Sequence, residues 1–339
     1  HELPKQILEA REYNKANTTF IKSILKYQYK GRIHAEIHPL RSDDGGTVSG
    51  RFSYSNPNLQ QIPARHKILG PMIRSIFVPE KNERWVSMDY SQQEPRLVVH
   101  YASLLKLPKV EAVVTEYKEG EADFHSIVAE MANIPRRQAK DINLGLFYSM
   151  GQRKLAEQLN IPLEEAQELF QSYHQKVPFV KMLSDYCRNR ASGKGYIRTL
   201  LGRKCRFDLW EPRQFGTGKI GNLEKAQAEF GPSIKRAFTH KALNRLIQGS
   251  AADQTKVAMK VLAEKGFTPL LQVHDELCFS SDNPDEIKEI AEIMETCVEL
   301  EIPCKVDVEY GDSWGSAKTV FTDKPWRRSI DDGSGAMIK

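Results

Sequence analysis

Two aspartates, Asp89 and Asp275, each stand where an apolar, strand-like run ends. The runs are Trp85-Val86-Ser87-Met88-Asp89-Tyr90 and Leu270-Leu271-Gln272-Val273-His274-Asp275-Glu276. Between them in the chain, Arg136, Lys140, Leu144 and Tyr148 recur every four residues, which makes one slowly drifting stripe on a helix. Carboxylates that hold divalent cations, and cations that hold phosphates, are what phosphoryl transfer to a nucleotide requires. Each signal has an ordinary alternative. Aspartate is a common turn residue and a common helix cap. A basic first turn ahead of an apolar half also describes a solvated helix end. The co-occurrence of all three segments favours chemistry.

The elements that must position these residues are legible in outline. Leu270–Val273 and Glu276–Phe279 flank a two-residue turn, His274-Asp275, so a hairpin would lift Asp275 to the lip of a sheet. A strand ends at Asp89 and a helix follows through Leu105. A helix over 134–148 is opened by Pro135 in its first turn. Gly145 inside it costs about 1 kcal/mol against Ala, which close approach by another group or plain packing would explain. Further helices are expected over 5–29, 162–176, 235–263 and 284–300, and a strand over 304–310. From Tyr186 to Phe207 there is no acid but seven bases, a surface suited to phosphates or a plain solvated loop. Gly216-Thr217-Gly218-Lys219 lacks the spacing of a phosphate loop and reads as an ordinary loop. Residues 322–339 are polar and read as a loose tail.

The chain has 339 residues, 40% of them hydrophobic, and a formal net charge of +5. That supports two or three domains, and the mild basic excess suits a polyanionic partner without demanding one. No run reaches the ~18 apolar residues of a membrane span. The five cysteines form no CxxC pair, which reads as reduced thiols in a cytosolic protein with no zinc site. The chain begins His1-Glu2-Leu3 without Met, as expected of a piece of a longer protein.

Taken together, these segments resemble the polymerase part of family A DNA polymerases, the bacterial DNA polymerase I group and its phage relatives. Asp89-Tyr90-Ser91-Gln92-Gln93-Glu94-Pro95-Arg96 resembles motif A, Arg136 through Tyr148 motif B, and Gln272-Val273-His274-Asp275-Glu276-Leu277 motif C. Ser49-Gly50-Arg51-Phe52-Ser53 with Asn58-Leu59-Gln60, Asp123-Phe124-His125, Asn244 with Gln248-Gly249-Ser250-Ala251-Ala252-Asp253, and Gly311-Asp312-Ser313-Trp314 extend the similarity. It runs from roughly residue 3 to 318.

The resemblance implies an α+β right-hand polymerase fold, with an antiparallel palm sheet, helical fingers and most of the thumb absent. The implied organisation is a residual thumb helix at 1–30, palm at 31–95, fingers at 96–235, palm again at 236–321 and a flexible tail at 322–339. It implies template-directed DNA synthesis, adding dNTPs to a primer 3′-OH with release of pyrophosphate. Asp89, Asp275 and the Tyr90 carbonyl would bind two Mg²⁺ ions (Mn²⁺ substituting) about 3.5–4 Å apart. Arg136, Lys140 and His125 would hold the triphosphate, Lys140 also protonating the pyrophosphate. Gln92, Leu144 and Tyr148 would complete the dNTP site, and Glu94 would reject a ribose hydroxyl. Arg51, Asn58, Gln60, Asn244, Gln248, His274 and Glu276 would contact DNA, several reading minor-groove acceptors common to all base pairs.

Implied partners are primer–template DNA, dNTPs, and an upstream thumb and 3′–5′ exonuclease domain; no membrane is implied. The Gln93-Glu94-Pro95 variant and terse loops point to a phage, hence to the cytoplasm of a bacterial host cell. Four positions depart from the family pattern. Leu144 stands for an aromatic residue, Ser149 for Gly, Pro95 for Leu and His240 for Arg. None is a metal ligand, so they bear on sugar selection and speed. Two other readings remain: a single-subunit RNA polymerase, disfavoured by Glu94, and a silent nucleic-acid-binding remnant, disfavoured by intact Asp89, Lys140 and Asp275.

Overall fold

The computed structural model describes residues 2–42, 45–63, 66–119, 123–132, 134–147, 150–214 and 218–320. The helices used below are α1 (Glu2–Lys15), α2 (Gln93–Leu104), α3 (Phe124–Ala132), α4 (Arg136–Phe147), α5 (Leu163–Lys176), α6 (Pro178–Lys194), α7 (Ala242–Glu264) and α8 (Pro284–Thr296). The main strands are β1 (Trp85–Tyr90), β2 (Leu271–Val273), β3 (Glu276–Ser280), β4 (Val306–Gly311) and β5 (Lys318–Val320). The chain divides into two compact units, one of 1–91, 255–298 and 305–339, the other of 92–254 and 299–304.

The first unit is built on an antiparallel sheet in the order β2-β3-β1-β4-β5. Side chains alternate across a strand, and β1 buries both faces. Val86, Met88 and Tyr90 pack with Leu277, Phe279, Val306 and Val308 against Ile287, Ile290, Ile293 and Met294 of α8. Each such side chain contributes roughly 1.5–3 kcal/mol when fully buried. Trp85 lies in a second core with Cys278, Leu271, Tyr54, Ile73 and Trp314. Asp89 therefore projects from the Trp85–Ser87 face, just past its buried part.

The second unit is mainly helical, with α2 to α6 and the first part of α7 around Phe124, Ile142, Tyr173, Phe179, Leu183 and Leu243. Tyr196–Arg198 and Lys204–Arg206 pair as a hairpin, so the acid-free stretch spans the end of α6 and this ribbon. Arg203 anchors the ribbon to α7, donating to Asp253 Oδ1 at 3.1 Å and to the Gly249 carbonyl at 3.1 Å.

Three expected helices are shorter than the sequence suggests. The 5–29 helix becomes α1, a π-helical turn at Ala16–Ile21, a short helix at Lys22–Lys26 and a strand at Gln28–Tyr29. Asn17, Thr18 and Thr19 are weak helix formers, and the Thr18 hydroxyl donates back to the Asn14 carbonyl at 2.8 Å, a bond that bends helices. Helix α7 begins only at Ala242, because Ile234–Arg236 pairs with Trp210–Pro212 and Phe238 is left-handed, with φ 60°. Helix α8 stops at Thr296. The tail, Ser149, and the Gly216-Thr217 part of the loop read above lie outside the described residues. Among the described residues no helix is long and apolar enough to cross a membrane.

Candidate active site

In the first unit three acids line up across three strands. Register pairs Asp89 with Glu276 on one side and with Asp307 on the other, so all three side chains share one face. Like charges directly opposite one another are destabilising. Asp275 arrives from the turn between β2 and β3, where Val273 pairs Glu276. His274 takes φ 58°, supplying the left-handed residue that so tight a turn needs. The Asp275 carbonyl accepts from the Tyr90 amide at 3.4 Å, and the Lys305 carbonyl from the Ser91 amide at 2.9 Å, holding the end of β1 from both sides.

The electrostatics follow from this crowding. Burial of its surroundings, then the charges of Asp275, Glu276, Asp307 and Glu309, push the Asp89 carboxyl up to about 8. The side chain itself still reaches solvent, so water screens part of the repulsion. Among the described residues no three His, Cys, Asp or Glu side chains form a closed metal cage. The donor set nevertheless fits Mg²⁺, which is held by one or two carboxylates plus water and substrate phosphates rather than by an all-protein cage. A divalent cation would relieve the crowding at Asp89. Tyr90 is buried and its hydroxyl donates to the Met294 carbonyl at 2.8 Å, so only its main chain can serve such an ion.

The second unit carries the basic cluster. Arg136 and Lys140 are exposed on α4, while Ala139, Ile142 and Asn143 on its other side are buried. The Arg136 Nε donates to Asp123 Oδ2 at 2.5 Å. Asp123 also accepts from the Ser126 hydroxyl at 2.7 Å and amide at 3.2 Å, and from the His125 amide at 3.3 Å, which caps the start of α3. Burial pushes the Asp123 carboxyl up, but the bonds from Ser126 and Arg136 and the charges of Arg136 and His125 outweigh it and hold it below its usual range. Burial pushes the His125 imidazole down; Asp123 pulls it up, and Lys140 and Arg136 lower it further.

Gln92, expected in the dNTP set, is left-handed at the start of α2, with φ 53°. Its Oε1 accepts from the Phe124 amide at 2.9 Å and the Tyr117 hydroxyl at 3.3 Å, bracing the entry to α3. Glu94 lies in the first turn of α2 and is half-buried. Asn244 and Gln248 are half-buried, one turn apart on α7. The backbone of α4 includes residue 144, but the Leu144 side chain and all of Tyr148 lie outside the described residues.

The remaining expected DNA contacts belong to the first unit. Arg51 is half-buried and His274 exposed. Asn58 caps a short 3-10 turn, accepting from the Gln60 amide at 3.1 Å. Gln60 Nε2 donates to Gln272 Oε1 at 3.2 Å, and Gln272 Nε2 to the His274 carbonyl at 2.6 Å. Glu276 Oε1 accepts from the Trp314 indole at 2.9 Å. Sequence reading missed Gln272 as the brace of this turn and Asp307 as a member of the row, and took Tyr173 only as part of an apolar helix face and Asn143 only as part of the basic helix. The alternation Val306-Asp307-Val308-Glu309 was the available signal for Asp307.

Comparison with known proteins gives a consistent picture. The profile of DNA polymerase family A matches residues 1–316. The DNA-directed DNA polymerase of Pseudomonas phage M6 is 40% identical over 93% of this chain and 52% of that protein. The thermostable DNA polymerase I of Thermus aquaticus is 34% identical over 94% of this chain and 37% of that protein. The solved POL domain of Pol1 from M. smegmatis, in complex with DNA primer-template and dNTP, superposes with a TM-score of 0.75 at 30% identity, covering 92% of this chain and 53% of that one. The chain thus spans about half the length of its phage relative.

Proposed function

Since the chain belongs to DNA polymerase family A, we propose that its carboxylate row and basic helix serve template-directed addition of dNTPs to a primer 3′-OH, with release of pyrophosphate. The observation that carries this is the register Glu276–Asp89–Asp307 with Asp275 delivered beside it, a concentration of negative charge that calls for a cation. Asp89, Asp275 and the Tyr90 carbonyl would hold Mg²⁺. Bound ions supply activation of the primer 3′-OH and neutralisation of charge on the leaving group.

The chain's own groups do the rest. Arg136, Lys140 and His125 bind the triphosphate, whose oxygens compete with the Asp123 carboxylate for the Arg136 guanidinium. The Lys140 Nζ passes a proton to the departing pyrophosphate oxygen. Glu94, Gln92, Leu144 and Tyr148 shape the sugar and base site. Arg51, Asn58, Gln60, Asn244, Gln248, His274 and Glu276 contact the duplex. In this reading residues 1–30 are a thumb remnant, 31–95 and 236–321 palm, and 96–235 fingers. The whole protein would supply the thumb and a 3′–5′ exonuclease domain. Primer extension with dNTPs, and separately with rNTPs, tests the assignment. Extension with neither overturns it, and extension with rNTPs alone replaces it with RNA synthesis.

Two substitutions on α4 refine the roles. Lys140→Ala is expected to lower the maximal incorporation rate more than nucleotide affinity, because its proton and charge are needed most as pyrophosphate leaves. Single-turnover kinetics showing lost affinity at an unchanged rate would make Lys140 a ground-state binder. Leu144→Tyr adds a hydroxyl one turn beyond Lys140. It should relax discrimination against dideoxynucleotides by about tenfold, which needs only ~1.4 kcal/mol. Competing ddNTP and dNTP incorporation checks this, and an unchanged ratio in an active variant removes residue 144 from the sugar pocket.

A further inference from the structure

Helices α3, α4 and α5 share a buried string of polar groups. Asn143 and Tyr173 are 0% exposed and His125 is 5% exposed. The Tyr173 hydroxyl donates to Asn143 Oδ1 at 2.7 Å, and Asn143 Nδ2 lies 3.1 Å from His125 Nδ1. Polar groups inside a core cost stability unless they satisfy one another, so such a string is expected to do more than fill space. It also has a direction. Burial pushes the Tyr173 phenol up, so it keeps its proton and donates. The amide oxygen is thereby taken, and the amide N–H faces the ring. An N–H aimed at Nδ1 needs a lone pair there, which leaves the ring proton on Nε2.

We propose that Tyr173 and Asn143 are positioning residues that fix His125 as the tautomer carrying its proton on Nε2, the atom it then offers to the triphosphate. The last clause rests on the function proposed above; the tautomer does not. The groups around the ring are Asp123 ahead of α3, Arg136 and Lys140 on α4, and the phenol on α5. Burial, Lys140 and Arg136 lower the imidazole against the pull of Asp123, so the ring is neutral near neutral pH. His125 therefore contributes direction, and the two cations contribute charge. Asn143→Asp would reverse this logic. A carboxylate at 143 accepts from Nδ1–H and favours the imidazolium, whose added charge holds phosphate at low pH and is lost as pH rises.

The test begins with nitrogen NMR of histidine-labelled protein free of DNA and nucleotide, the His125 signals identified by their loss in His125→Gln. A bare Nδ1 and a protonated Nε2 are expected. Tyr173→Phe removes only the hydroxyl. It should mix the two tautomers and raise the dNTP KM by about three- to tenfold, the worth of one hydrogen bond, with kcat held. Asn143→Asp should protonate both nitrogens and give a dNTP KM that rises with pH, where the wild type is flat. A proton on Nδ1 of the wild-type ring overturns the proposal, even if neither variant folds. So does a Tyr173→Phe protein with unchanged tautomer and KM. Failure of the wild type to extend primers while its ring carries the Nε2 proton would instead overturn the polymerase reading.

Discussion

Asp89→Asn is expected to abolish nucleotide incorporation and, in the presence of a chelator, to make the folded protein more stable toward alkaline pH. The activity loss should reach at least about a thousandfold, ~4 kcal/mol of barrier, because the substitution removes the central carboxylate of the row. The stability gain has the opposite origin. With no cation bound, the charge on Asp89 faces Asp275, Glu276, Asp307 and Glu309. Its carboxyl moves from an ordinary 3.8 up to about 8 in the fold. Between those values the native state holds a proton that the unfolded chain has lost, so stability falls as pH rises through the window and levels off above it. Asn cannot ionise, so the variant's melting temperature should fall less across the same window. Asp275→Asn should match it in activity. Thermal melts in chelator, alongside primer extension in Mg²⁺, check both halves. Near-normal extension by either variant ends the metal-ligand assignment, and parallel melting profiles for wild type and Asp89→Asn end the crowding argument.

The two aspartates were legible because each terminates an apolar run, and a two-residue turn leaves little choice about where Asp275 goes. The third acid of the row was not. Asp307 sits thirty-two residues beyond Asp275, and only strand order and register bring it opposite Asp89. The stripe on α4 was read from spacing. Its buried back was missed, because an asparagine inside a helix carries no local sign that a tyrosine on another helix will meet it. Gly145 carries a visible local cost, and a Cβ there would meet the end of the Met150 side chain, which would have to shift. The overlong helix at 235–263 failed for a different reason. Periodicity reports a face, but strand pairing at Ile234–Arg236 and the left-handed Phe238 decide where a helix can begin.

Glu94→Ala should admit ribonucleotides, lowering the dNTP-over-rNTP preference by at least about tenfold, ~1.4 kcal/mol of differential transition-state binding. In the run Gln93–His100 every other residue is buried, and Glu94 alone is half-buried. The neighbours fix its place. Gln93 Nε2 donates to the Ala251 carbonyl at 3.3 Å and to Gln254 Oε1 at 3.2 Å. The Arg96 guanidinium donates to the Pro303 carbonyl at 2.5 Å. A first helical turn held this firmly can present one side chain as an obstacle. The same carboxylate also sits favourably at a helix N-terminus, by about 0.3–1 kcal/mol, so lost activity alone would not distinguish a gate from a cap. Glu94→Gln separates them. It keeps the volume and discards the charge, so a steric gate survives in Gln and fails in Ala, whereas a purely electrostatic one fails in both. A helix cap affects both sugars alike and leaves their ratio untouched. Competing rNTP and dNTP incorporation by the three proteins decides the matter. A preference within about twofold of wild type in Glu94→Ala, ~0.4 kcal/mol, places the discrimination on another residue.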